Sequence, residues 1–127
     1  MQVKDLIGLK RIYAPSEPED GARYLVERLW PRGIRKEYLP LRDWLKDIAP
    51  SDALRRWFAH DVAKWDEFQR RYLAELADKT ETLHSIVHAA HRERVTLLYS
   101  ARDEQHNSAR VLRSHLLGLL QPYGESG

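Results

Sequence analysis

The chain has 127 residues, with 21 Lys and Arg against 19 Asp and Glu, a formal net charge of +2 and no cysteine. That length suits a single domain with one hydrophobic core, and a 43% hydrophobic content argues against wholesale disorder. Without cysteine, disulfide scaffolds, cysteine zinc sites, rhodanese-like sulfur transfer and cysteine-phosphatase chemistry are excluded. Any catalysis must come from histidine, carboxylate and arginine.

The start of the chain carries Lys4, Asp5 and Lys10 and no cleavable apolar stretch, so it does not read as a secretory signal. No segment approaches the ~18 consecutive apolar residues of a membrane span. A cytoplasmic protein without a membrane partner is expected. No repeat or interdomain linker interrupts the chain. One domain is expected over 1–127, with its core in about 9–120 and a mobile tail at 121–127.

Residues 9–13 read as a short strand that runs into an acidic, proline-containing loop. Residues 22–30 fit both a helical stripe and a buried strand. Gly21 and Pro31 fence the segment to strand length, which favours the strand. Ser51, after Pro50, reads as the N-cap of a helix that turns Leu54, Trp57 and Phe58 inward. Residues 65–77 form an amphipathic helix with Trp65, Phe68, Tyr72, Leu73 and Leu76 at helical spacing. Asp61 is placed to cap it. A further helix is expected over 81–91. Residues 95–99 are the clearest strand, β-branched at the start and apolar throughout. A last helix covers 108–120.

Strands alternating with helices indicate an α/β domain, three-layer-like, with a mostly parallel sheet flanked by helices. In such sheets ligands bind outside the carboxyl ends of the strands. Two loops occupy that position. The first holds Arg28, Trp30, Pro31 and Arg32, and the second holds Arg102, Asp103, His106 and Asn107. If the strands before them are neighbours, the loops converge on one crevice.

The basic residues are 15 Arg and 6 Lys. Arginine suits bidentate contact with phosphate and carboxylate. Residues 23–42 hold Arg23, Arg28, Arg32, Arg35, Lys36 and Arg42 against only Glu27 and Glu37, a local surplus of four positive charges. Pro31 stiffens the corner between Arg28 and Arg32, as an anion clamp requires. Trp30 reads either as a stacking surface for a planar ligand or as a core plug, the second being the more usual role of tryptophan. Histidine titrates near ~6.5, which makes His106 a candidate acid or base. Asp103 is then placed to orient it, and Asn107 or Ser108 to cap the last helix. His60, next to Asp61, is a secondary binding candidate. His84, His88 and His91 share one helical face at a spacing that would hold zinc or nickel, but they flank the apolar stripe and lack the HExxH pattern. No metal and no cofactor is expected. No P-loop, GxGxxG or GxSxG motif is present.

The ordered run of Arg11-Ile12-Tyr13, Asp20-Gly21, residues 25–33 (LVERLWPRG), Lys36-Glu37, Trp44-Leu45, residues 54–58 (LRRWF) with His60-Asp61, Arg71-Tyr72, Glu75-Leu76, residues 95–103 (VTLLYSARD) and His106-Asn107 resembles the YeaO-like family, within domain of unknown function 488. The likeness spans about residues 10–116. It implies a small α/β fold and a strand reading of residues 24–29, but supplies no function. The family commonly has Asp where Glu27 stands and Lys where Arg102 stands.

The leading expectation is an anion-binding crevice built from Arg28, Arg32, Arg102, His106 and Asn107. Its ligand would be a phosphorylated or nucleotide-like small molecule, with His106 as acid or base if a reaction follows. A less favoured reading has the same arginines contact nucleic-acid phosphates. A third is a partner-binding domain anchored by exposed tryptophans.

Overall fold

A computed structural model describes residues 2–120 of the chain. The tail at 121–127, expected to be mobile, lies outside the described residues. Four strands form one all-parallel sheet: β1 (Ile7–Arg11), β2 (Ala22–Leu25), β3 (Asp43–Trp44) and β4 (Val95–Tyr99), in the order β1-β4-β2-β3. Every residue of β4 is buried, which its unbroken apolar run requires of a central strand. Ile7 to Arg11 pair with Val95 to Tyr99, and Ala22 to Leu25 pair with Val95 to Leu98. The three strands therefore end nearly level, and the residues just beyond them share one rim.

Alternation along the strands divides the core in two. Ile7, Ala22, Tyr24, Val95, Leu97 and Tyr99 meet the helices α1 (Asp52–Phe58), α2 (Trp65–Leu76), α3 (Thr80–Ala90) and α4 (Ser108–Leu120). Leu25 and Leu98 face the other way and join Ile12 and Leu39, with Trp30, Ile34, Leu41 and Trp44 packed against them. The α/β sheet is as expected, and the described helices all gather on one face. The third layer is largely irregular chain, residues 30–42, with one 3-10 turn at Lys36–Tyr38. No helix among the described residues is long and apolar enough to cross a membrane.

The helices lie where the sequence places them. Ser51 Oγ accepts from Leu54 N at 3.1 Å and so caps α1. Asp61 accepts from Ala63 N at 3.0 Å and caps the 3-10 turn Val62–Lys64 that leads directly into α2. Strand limits differ more. β1 begins two residues earlier than expected, because its pairing with β4 starts at Ile7. β2 is shorter than residues 22–30: the Val26 N–H still reaches Leu98 O at 3.2 Å, and the chain then leaves the sheet. β3 has two residues, too few to show any periodicity.

Under the second face lies a buried ionic knot. Asp20 and Arg23 are 5% and 6% exposed. Asp20 accepts from Lys10 Nζ at 2.8 Å, from the Glu17 N–H at 3.1 Å and from Arg23. Burial pushes the Asp20 carboxyl upward, but these donors outweigh it and hold it below the ordinary aspartate value. Gly21, at φ 67°, follows so closely on the Arg94 carbonyl that any Cβ would collide with it.

Candidate functional site

A cleft of about 580 Å³ opens at the carboxyl ends of β2 and β4, the position expected of a parallel sheet. Its walls come from residues 27–28, residues 49–50, Arg55 and Phe58 of α1, His60, Phe68 of α2, residues 100–103 and residues 106–108. The two loops do converge, because β2 and β4 are neighbours. Arg28, His60, Arg102, Asp103, His106 and Asn107 all line the cleft.

Trp30 and Arg32 do not line it. The Trp30 ring meets Trp44 edge-on at 5.2 Å, and its Nε1–H donates to Ile34 O at 2.6 Å, so it plugs the far face of the sheet. The chain turns away after Arg28 and carries Arg32 to an exposed position. All four tryptophans are half-buried, which leaves no exposed tryptophan to anchor a partner.

The cleft's cations differ in how free they are. Arg28 Nε and a terminal nitrogen donate to the carbonyls of Pro50 and Ala49 at 3.1 and 3.0 Å, so Arg28 chiefly pins that wall. Arg55 pairs with Asp52 at 2.9 Å. Arg102 is exposed and has no hydrogen-bond or ion-pair partner among the described residues. It is the cation most open to an incoming anion.

Asp103 organises the second loop. Its Oδ1 accepts from the N–H groups of Gln105 and His106 at 2.9 and 3.0 Å, and its Oδ2 lies 2.9 Å from His106 Nδ1. The Gln105 N–H, together with His106, holds the Asp103 carboxyl below its ordinary value despite some desolvation. This contact fixes the imidazole and leaves Nε2 without a hydrogen-bond partner among the described residues. Trp65 meets the ring edge-on at 5.3 Å. Asn107 is 5% exposed; its amide donates to Asp103 O at 2.9 Å and accepts from Arg110 N at 3.0 Å. Asn107 thus caps α4, and its side chain is already engaged.

His60 reaches the cleft through an uncommon backbone. Ala59 and His60 lie in the left-handed region, at φ 46° and 59°, and reverse the chain directly after α1. His84, His88 and His91 are exposed on α3, and no three His, Asp or Glu side chains among the described residues are grouped to hold a metal.

Sequence reasoning overlooked Glu27, Arg55 and Ser100, all of which line the cleft. Ser100 Oγ–H donates to Glu27 Oε1. Burial raises the Glu27 carboxyl above its ordinary value, against the opposing hydrogen bonds from Ser100 and the charges of Arg55 and His60. The available signal was position: Glu27 follows β2 and Ser100 follows β4, so the neighbouring strands deliver them side by side.

A family model described as the inactive DUF488-N3 subclade matches residues 6–125. An uncharacterized protein of Escherichia coli (strain K12), YeaO, is 44% identical over 113 residues, covering 89% of this chain and 98% of that protein. Two uncharacterized proteins of Mycobacterium tuberculosis, MT3158 (strain CDC 1551 / Oshkosh) and Rv3073c (strain ATCC 25618 / H37Rv), are each 38% identical over 112 residues, covering 88% of this chain and 94% of theirs. No solved structure matches the chain.

Proposed function

The chain belongs to the YeaO-like DUF488 family, and from that premise we propose that its cleft binds a small organic anion of the phosphorylated or nucleotide-like class. The observation that carries this reading is the Arg102 guanidinium, without a partner among the described residues and set in a cleft that also holds Arg28, Arg55, His60 and His106. A free guanidinium beside a wall of aromatic and backbone groups is the recognition chemistry of phosphate or carboxylate. About 580 Å³ also falls within the range of small-molecule sites.

Binding without turnover is the form of the reading that best accommodates the subclade's description as inactive. The His106–Asp103 pair then serves to hold a donor or acceptor at Nε2 against the ligand. The same pair has the geometry of an oriented acid or base, so a turnover assay on any bound ligand separates binder from enzyme.

The test is thermal stabilisation of the protein by a panel of sugar phosphates and nucleoside monophosphates, repeated with Arg102→Ala. The reading expects at least one compound to raise the melting temperature of the wild type, with the shift abolished in the variant. A panel without effect, or equal shifts in both proteins, contradicts it.

A further inference from the structure

Glu27 is out of place in a site for a bare anion. It lines the cleft among three arginines and two histidines, yet forms no ion pair within 4.0 Å with any of them. Arg28 is taken up by the carbonyls of Ala49 and Pro50, and Arg55 by Asp52. The Ser100 hydroxyl donates to Oε1. Oε2 has no partner among the described residues, and no buried side-chain oxygen among them lacks one, so Oε2 is open to the cleft rather than sealed in the core. A half-buried carboxylate oxygen with no cation in direct contact is an acceptor awaiting a donor.

We propose that the cleft selects an anion that also carries an N–H donor, with Glu27 Oε2 accepting from that donor while Arg102 meets the anionic group. This rests on the anion-binding reading above and narrows its ligand class. Inorganic phosphate carries its charge and its O–H donors on one small group, so it offers no separate N–H end for Glu27. An organic phosphate bearing an amine or amide satisfies both ends. Among such compounds, a nucleoside monophosphate whose base presents an N–H edge also uses the wall formed by Phe58, Phe68 and the His60 ring, which lies 6.4 Å from Phe58. Base edges are read in this way, by hydrogen bonds to the rim and apolar contact with the face.

Two nucleotides isolate the donor: guanosine 5′-monophosphate, and purine riboside 5′-monophosphate, which keeps the ring, ribose and phosphate but has no N–H on its base. Glu27→Gln is isosteric. With Ser100 still donating to the amide oxygen, the variant turns its NH₂ toward the ligand and sets donor against donor. Calorimetric titration of the wild type is expected to show guanosine monophosphate binding at least ~10-fold tighter than the purine riboside analogue, because the analogue leaves Oε2 unpaired. Glu27→Gln is expected to erase that preference, with the analogue still bound. Equal affinities in the wild type, or a preference that survives in Glu27→Gln, overturn the donor requirement and leave anion binding standing. If neither nucleotide binds, and neither sugar phosphates nor inorganic phosphate bind, the anion reading fails and this inference with it.

Discussion

Glu27 and Asp20 show how burial acts on a carboxylate in opposite directions according to its partners. Glu27 has one hydroxyl and no ion-pair partner among the described residues, and burial raises its carboxyl against the weaker pull of Arg55 and His60. The folded state therefore holds its proton more tightly than the unfolded chain, and stability falls as pH rises from the ordinary glutamate range through the raised value. Glu27→Gln removes that cost, so it should melt higher than the wild type at neutral pH, with the gap closing as pH falls through the raised value and gone by about 4.5. Thermal scans across pH 4 to 8 read this directly; a gap that does not change with pH contradicts it. Asp20, held low by Lys10 and Arg23, contributes stability that is present above the ordinary aspartate range and lost as pH falls through its depressed value. Asp20→Asn leaves two cations under the sheet poorly matched and should cost about 3 kcal/mol in denaturant unfolding at pH 7. A loss below about 1 kcal/mol would mean the knot is solvated rather than buried. The sequence did disclose Asp103 beside His106, three residues apart, at the other end of the cleft. Glu27 read only as a counter-charge in a basic run, because its burial arises from strands β2 and β4, whose paired residues are 73 apart in the chain.

Among the elements, helices were legible and strand limits were not. Caps and periodic stripes are local, so Ser51, Asp61 and the α2 stripe located their helices within a residue or two. The end of β2 depends on distant partners: Arg28 is drawn to the carbonyls of Ala49 and Pro50, and Trp44 Nε1–H donates to Glu27 O at 2.7 Å. Those contacts also send Trp30 and Arg32 to the far face, which the Trp-Pro corner alone does not indicate. Arg28→Ala should therefore act as a wall-loosening change, costing about 2 kcal/mol through two lost charge-assisted hydrogen bonds. Hydrogen exchange should rise at the Ala49 and Ser51 amides in that variant; unchanged protection there would show that the wall stands without the guanidinium. The α1 start has a second support, since Glu75 accepts from Ser51 N at 2.8 Å and from Ser51 Oγ at 2.6 Å. Glu75→Ala should destabilise by about 1–2 kcal/mol, measured by denaturant unfolding, as a cap loses its own anchor; an effect below about 0.3 kcal/mol would contradict that.

At the scale of the whole molecule, the parallel sheet explains why one end carries the chemistry. Neighbouring β2 and β4 finish within a residue of each other, and the residues after them bring an arginine without a partner among the described residues, an oriented histidine and the Glu27 carboxyl to one rim. The opposite face of the sheet is covered by irregular chain whose own groove, lined by Tyr13, Tyr38 and Arg35 among others, is more open and holds no comparable set. The basic run that stood out in the sequence is split by this arrangement: Arg23 lies in the ionic knot, Arg28 lines the cleft, and Arg32 and Arg35 are exposed away from it. Composition alone could not separate these arginines, and the fold does. Calorimetric titration of a nucleoside monophosphate into the wild type, Arg102→Ala and Arg32→Ala is thus the most direct test of the central claim. The account predicts a loss of ~10-fold or more in affinity for Arg102→Ala, from one charge-assisted contact, and no change for Arg32→Ala. Equal effects of the two substitutions, or none from Arg102→Ala, would contradict it.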